Sequence, residues 1–135
     1  MAKKTWSSGP RKRSVSKVPE RVKQTVKAKA DELVDTVLIP QYVKPVPEDY
    51  EFNYLVNIYT KWYRNYFYFC STYNTSGPNA MAPSFDDKFA RLEYVGRDSF
   101  NLAFMRYTGQ WQEIALDISL EEALEMIKDS GFFHP

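Results

Sequence analysis

Four charged residues on neighbouring segments are the first candidates for chemistry. Arg91, Glu93, Arg106 and Glu113 lie in segments where apolar and polar residues alternate, as in half-buried strands. Opposite side chains on adjacent strands lie about 5 Å apart, so these groups could meet on one sheet face. Converging guanidinium and carboxylate groups could bind an anion or poise a carboxylate for acid–base catalysis. The alternative interpretation is a ladder of salt bridges on a solvated face.

The sequence offers little for a nucleophile or a metal. Cys70 and His134 are the only cysteine and histidine, and a cysteine within a strand usually behaves as a small hydrophobic residue. Asp86 and Asp87 could begin a metal site, although a polar loop before a strand is the simpler interpretation. No nucleotide-binding or hydrolase motif occurs, so we predict neither a metal nor a cofactor.

An aromatic segment, residues 53–73, contains neither Gly nor Pro. Aromatic and β-branched residues fit the pleated surface of a sheet. We therefore predict strands joined by a hairpin turn within residues 61–65, where Asn65 best tolerates a positive φ. Exposed rings beside cations can stack unpaired bases, but such rings also build cores and protein-binding surfaces. The candidate surface residues are Tyr59, Trp62, Tyr63 and Tyr66, with the cations Lys61 and Arg64.

The charges are divided unevenly along the chain. Residues 1–29 hold ten Lys/Arg and one acid, a net charge of +9, whereas residues 30–135 hold eight and sixteen, a net charge of −8. This asymmetry indicates contact with nucleic acid or a membrane surface; alternatively, the arm solubilises the acidic body or folds back on it. We predict that residues 1–17 form a disordered basic arm and residues 18–135 a single domain. Its candidate phosphate-binding residues are Lys3, Lys4, Arg11, Lys12, Arg13 and Lys17.

Two helices are predicted to flank the strands. Pro19 suits the first turn of a helix, and apolar residues then recur at the helical period until Pro40, so we expect this helix to end by Ile39. Ser119 and Glu122 have the spacing of a capping box at the start of a second, acidic helix. The phenylalanines at 132 and 133 are expected to plug the core.

Segment 88–116 favours three short strands, with turns at residues 96–98 and 108–109. Together with the aromatic hairpin, they predict an antiparallel meander of four to five strands. Such a sheet buries one face against helices. The predicted fold class is therefore α+β, with an N-terminal and a C-terminal helix packed on the sheet.

Several short motifs resemble those of a known family. The segments ARLEYV (90–95), RYTGQWQEI (106–114), SLEEALEMI (119–127) and the final GFFHP are similar to segments of small uncharacterised bacterial proteins with a domain of unknown function. The resemblance covers roughly residues 52–135 and, more loosely, the helix at 19–38. It implies the same order of elements and a bacterial origin, and it implies no activity.

The sequence supports three functional hypotheses. The first is a non-enzymatic binding or adaptor domain that contacts a protein partner, or a second copy of itself, through an aromatic sheet face or edge. The second is a nucleic-acid-binding accessory protein that uses the basic arm and the region Lys61–Tyr66. The third is an enzyme built on the Arg/Glu group. A single cysteine, no secretory signal and no long apolar run predict a cytoplasmic protein without a membrane span.

Overall fold

The computed structural model describes residues 17–45, 53–75 and 84–135. Within these ranges five antiparallel strands form one sheet, and each strand pairs with the next along the chain. The strands are β1 (Tyr54–Tyr63), β2 (Tyr66–Asn74), β3 (Ser84–Gly96), β4 (Ser99–Met105) and β5 (Trp111–Ile118). The helices are α1 (Glu20–Leu33), α2 (Ile39–Tyr42) and α3 (Leu120–Asp129), with a π-helical turn, Val34–Leu38, between α1 and α2. The predicted α+β class and meander are confirmed.

Helix α1 packs on the sheet through the apolar stripe that the sequence predicts. It begins directly after Pro19 and buries Val22, Val26 and Ala30. Helix α3 lies beside it, against β4, and both helices share one core with the same face of the sheet. The largest fully buried side chains of that core are Phe67, Phe69, Phe100, Leu38, Leu92 and Leu102.

A polar network joins α1 to β1 at the edge of this core. Thr60 is 5% exposed, and its hydroxyl donates a hydrogen bond of 2.5 Å to Asp31 Oδ1. The same hydroxyl accepts a bond of 2.9 Å from Lys27 Nζ, and Lys27 also pairs with Asp31 at 2.9 Å. Because the hydroxyl is both donor and acceptor, the buried polar group is fully satisfied.

The first helical segment continues past Ile39, so the predicted end was wrong. Ile39 keeps right-handed helical dihedrals (φ −63°, ψ −49°), and its N–H donates to the carbonyl of Val34, five residues earlier. A proline ring clashes with the carbonyl four residues before it in an α-helix. The wider π-helical turn accommodates Pro40, and the helix runs on to Tyr42.

The predicted hairpin is confirmed, with a turn at residues 64 and 65. Arg64 has the positive φ of 57° there, which corrects the expectation that Asn65 would take this conformation. The Asn65 carbonyl instead accepts a hydrogen bond of 2.9 Å from the N–H of Tyr94. The turn places Trp62 opposite Phe67, so these two rings lie on the same face of the sheet.

Strand β3 begins at Ser84 rather than at residue 88, because its first residues pair with the end of β2. Asp86 and Asp87 therefore lie in a strand and not in the predicted loop. At the other end of β3, the predicted turn uses Arg97 and Asp98, which have φ values of 55° and 57°. Two consecutive residues with positive φ match the twist of an antiparallel hairpin.

The capping box at the start of α3 is confirmed. The N–H of Glu122 donates to the Ser119 hydroxyl at 3.1 Å, and the N–H of Ser119 donates to Glu122 Oε1 at 3.0 Å. Beyond α3, Phe133 is buried in the core at 2% exposure, whereas Phe132 is 51% exposed. One of the two phenylalanines is thus the predicted plug. Among the described residues, no helix has the length and apolar character needed to cross a membrane.

Candidate binding face

The face of the sheet opposite the helices carries several aromatic side chains and most of the charged side chains of the strands. Alternation along each strand places these residues there, since Thr60 and Trp62 on the other parity of β1 contact α1. We call this surface the open face. It comprises Tyr59, Lys61, Tyr63, Tyr66, Tyr68, Cys70, Thr72, Asp86, Lys88, Arg91, Glu93, Asn101, Ala103, Trp111 and Glu113.

Arg91 lies at the centre of the open face, between two aromatic rings. Its guanidinium carbon is 4.9 Å from the centroid of the Tyr66 ring and 4.9 Å from that of the Trp111 ring. These rings come from β2 and β5, and Ala103 on β4 lies directly opposite Arg91. Because Ala103 has no side chain beyond Cβ, Arg91 and Trp111 can meet above it. A cation held against two ring faces gains an electrostatic attraction from each ring.

The neighbouring rings also contact one another. The Tyr66 and Tyr68 centroids are 6.1 Å apart with nearly parallel planes, and Tyr68 lies 5.9 Å from Trp111. Lys88 Nζ is 5.4 Å from the Tyr68 centroid. Each of these three rings thus has at least two neighbours on the open face, and Arg91 is shared by two of them.

At the β1 end of the open face, Asp86 accepts two hydrogen bonds from neighbouring strands. Tyr59 on β1 and Thr72 on β2 each donate a bond of 2.9 Å from their hydroxyl groups. The bonds from Tyr59 and then Thr72 hold the pKa of Asp86 below its ordinary value. Burial, and then the hydrogen bond to Asp86, raise the pKa of Tyr59. Burial also raises the pKa of the Cys70 thiol, which is paired with Tyr59 across the strands.

The structure brings three of the four residues proposed for catalysis to one face and places the fourth elsewhere. Arg91, Glu93 and Glu113 share the open face, but Arg106 follows β4 and lines a cavity of about 460 Å³ with Tyr73 and other residues. Glu93 is 8% exposed, and Glu113 is exposed. Two further cavities, of about 340 and 180 Å³, lie beside the helices, and none of the three includes Glu93 or Glu113.

Trp62 belongs to the helix side of the sheet, which corrects its prediction as a surface residue. Its indole Nε1 donates a bond of 3.2 Å to the carbonyl of Lys23 in α1. Its ring packs edge-on against Phe67, with centroids 5.0 Å apart. The other three predicted aromatic residues, Tyr59, Tyr63 and Tyr66, do lie on the open face, and Tyr63 is 55% exposed.

The candidate nucleic-acid-binding residues are scattered. Lys61 is exposed on the open face, and Arg64 lies at its edge with its guanidinium 5.2 Å from the Tyr63 centroid. Lys17 is exposed just before α1. The candidates Lys3, Lys4, Arg11, Lys12 and Arg13 lie outside the described residues. Within the described ranges, no three His, Cys, Asp or Glu side chains are grouped so that they could hold a metal ion.

Three aromatic or cationic residues of the open face were missed by sequence reasoning: Tyr68, Lys88 and Trp111. Tyr68 could have been found, because strand alternation places it beside Tyr66. The contact between Trp111 and Arg91 gave no such signal, since it depends on the register of β3, β4 and β5.

The fold and this surface define an α+β domain in which two helices cover one face of a five-stranded meander and aromatic and cationic residues line the other. The family DUF3024, a domain of unknown function, matches residues 17–135, and the chain belongs to this family. No curated protein and no solved structure matches the chain. The resemblance to a family of unknown function is thereby confirmed.

Proposed function

We propose that this domain is a non-enzymatic binding module that contacts a protein partner through its open face. The observation that carries the proposal is the placement of Arg91 between Tyr66 and Trp111, at 4.9 Å from each ring. Tyr, Trp and Arg are the residues enriched at the energetic centres of protein interfaces. Held together by mutual contact, they lose little side-chain freedom when a partner binds.

The same contacts favour a protein over nucleic acid. A base stacks on an exposed ring face, and each of Tyr66, Tyr68 and Trp111 already has part of its ring covered by another ring or a cation. The open face also carries the exposed carboxylate of Glu113, which repels a phosphate backbone and can pair with a cation of a protein.

Site-specific photo-crosslinking in cells of the source organism tests this proposal. A benzoylphenylalanine is placed at Tyr63 on the open face or at Phe132 on the helix side, positions with similar exposures of 55% and 51%. We expect a discrete protein adduct from position 63, none from position 132, and loss of the adduct when Trp111→Ala is added. Equal adducts at both positions, or an adduct unaffected by Trp111→Ala, would contradict the proposal.

Two controls separate the alternatives. Analytical ultracentrifugation of the purified chain shows whether the partner is a second copy, in which case the adduct has twice the mass of the chain. A fluorescein-labelled dT20 oligonucleotide tests the nucleic-acid hypothesis. Binding of dT20 that falls steeply with salt and is lost in the double variant Lys61→Gln, Arg64→Gln would overturn the proposal in favour of nucleic acid.

We also propose a cytoplasmic location. The proposal is supported by the single cysteine of the chain, Cys70, which is free and buried and which fits a reducing compartment. The bacterial origin implied by the family resemblance stays a prediction.

A further inference from the structure

We infer that Arg91 is the anchor of the open face and that it binds a carboxylate side chain of the protein partner. This inference rests on the proposed function and names the chemical group that the face recognises. A guanidinium has five N–H donors and no acceptor. Within residues 17–45, 53–75 and 84–135, the Arg91 side chain contacts two rings, but it donates no hydrogen bond and has no carboxylate within ion-pair distance.

The inference depends on the N–H donors of the Arg91 guanidinium. Arg91 Nε is buried and has no hydrogen-bond partner among the described residues, and an unpaired buried donor is unfavourable. The two rings attract the positive charge of Arg91, but they do not replace an acceptor in the plane of the guanidinium. Arg91 as a whole is only half-buried, so a ligand with in-plane oxygens would bond to the terminal nitrogens of the guanidinium, for which the described residues provide no acceptor.

Neither Glu113 nor Asp86 fills this role. Glu113 lies on β5, and Ala103 on β4 separates it from Arg91 in the sheet. No ion pair joins Glu113 to Arg91 within the described part of the chain. Asp86 is already engaged by Tyr59 and Thr72. Neither of these two carboxylates of the described residues supplies the acceptor, and we assign it to the partner.

The two rings prepare Arg91 for a planar anion. A guanidinium presents its donors as a rigid fork that matches a carboxylate or a phosphate. Tyr66 and Trp111 hold that fork in one orientation before any ligand arrives, which lowers the entropic cost of binding. Of the two anions, a carboxylate is the one that the aspartate and glutamate side chains of a protein partner present, so the proposed function assigns the fork to a carboxylate.

Nuclear magnetic resonance of the ¹⁵N-labelled full-length chain tests the inference with defined probes. The probes are acetyl-hexaglutamate amide, its neutral hexaglutamine counterpart and the oligonucleotide dT6. The observed signals are Arg91 Nε–H and the indole N–H of Trp111. We expect hexaglutamate to shift both signals progressively, hexaglutamine to leave them unchanged, and dT6 to bind at least about tenfold more weakly.

Matched substitutions separate the planar fork from charge alone. Arg91→Lys keeps the charge and removes the fork, so we expect it to weaken hexaglutamate binding about tenfold. Arg97→Lys, in the exposed β3–β4 turn, is the control and should leave binding unchanged. Trp111→Leu removes one of the clamping rings and should also weaken binding. The amide spectrum of each variant verifies that it is folded, and Trp111→Leu provides a second test should Arg91→Lys unfold.

The outcomes distinguish this inference from the proposed function. Equal shifts with hexaglutamate and hexaglutamine, unchanged affinity in Arg91→Lys, or tighter binding of dT6 would each overturn the carboxylate assignment. If the crosslink from position 63 persists under those results, the protein-binding function stands and only the role of Arg91 falls. If the crosslink is absent as well, the function itself falls.

Discussion

Tyr59 and Asp86 are joined across the open face by a hydrogen bond of 2.9 Å, although β2 lies between their strands. Thr72, on that middle strand, donates a second bond of 2.9 Å to the same carboxylate. The three side chains therefore link three strands at the side of the sheet opposite the helices. Both hydrogen bonds favour the charged form of Asp86. They come from residues that lie 27 and 14 positions away in the sequence.

The first prediction concerns the pKa of Asp86. Hydrogen bonds from Tyr59 and Thr72 lower this pKa in the folded state. A depressed pKa stabilises the fold at pH values above the unfolded value of about 3.9, and this stabilisation is lost as the pH falls through the folded value. We expect Tyr59→Phe to raise the pKa of Asp86, measured from its carboxyl ¹³C shift during a pH titration.

The matched control for this prediction is Tyr63→Phe, two residues along β1. Tyr63 also lies on the open face, but it has no hydrogen bond to Asp86, so its substitution should leave the Asp86 titration unchanged. An Asp86 pKa that does not move in Tyr59→Phe would show that the bond across β2 is not formed in solution.

The second prediction concerns the network between α1 and β1. Thr60→Val keeps the shape of the side chain and removes the hydroxyl that bonds Asp31 and Lys27. We expect the free energy of unfolding, measured with urea, to fall by about 1–2 kcal/mol. The loss stays moderate because both charged groups are partly exposed and can bond to water instead.

Thr108→Val serves as the control for Thr60, because Thr108 is exposed in the β4–β5 turn. Surface changes of this kind usually alter stability by less than about 0.5 kcal/mol. If both variants were as stable as the parent chain, the network would contribute nothing to folding.

The third prediction compares the two consecutive phenylalanines after α3. Phe133 is 2% exposed and its ring lies 6.3 Å from that of Phe104, whereas Phe132 is 51% exposed. Phe133→Ala should leave a cavity and lower the free energy of unfolding by about 3–5 kcal/mol. Phe132→Ala should cost about 1 kcal/mol, because it loses mainly its stacking contact with Phe104.

Urea denaturation measures both phenylalanine variants against the parent chain. A larger loss for Phe132→Ala than for Phe133→Ala would contradict the burial of Phe133. Similar losses for the two would mean that the segment after α3 is held less firmly than its contacts indicate.

Local chemistry explains which elements could be predicted. The capping box of Ser119 and Glu122 needs only residues three apart, and the turn at Arg97 and Asp98 needs only its own backbone. The strands were visible because alternation is a property of consecutive residues. The end of the first helix was not predictable in the same way, because the sequence does not show whether the turn before Pro40 forms α-helical or π-helical hydrogen bonds.

The candidate site was predicted only in part. Tyr59, Tyr63 and Tyr66 were correctly grouped, because they fall within one hairpin. Trp62 was misplaced on the surface. Strand alternation separates it from Lys61 and Tyr63, but only the contact with Lys23 shows that its face is the one that meets α1. Arg106 was grouped with Arg91 because the two were predicted to lie on adjacent strands. In the structure Arg106 follows the end of β4 and lines a cavity, whereas Arg91 contacts Tyr66 and Trp111 on the open face.

The sequence by itself determined the order of helices and strands, since each depends on spacing among nearby residues. The tertiary structure alone decided that Arg91 would lie between Tyr66 and Trp111. Those three residues come from three strands, and their meeting depends on strand register, on the small Ala103 between them and on helices that cover only the opposite face. A shift of one residue in any strand would turn its side chains to the other face, and the cation and its two rings would then be separated.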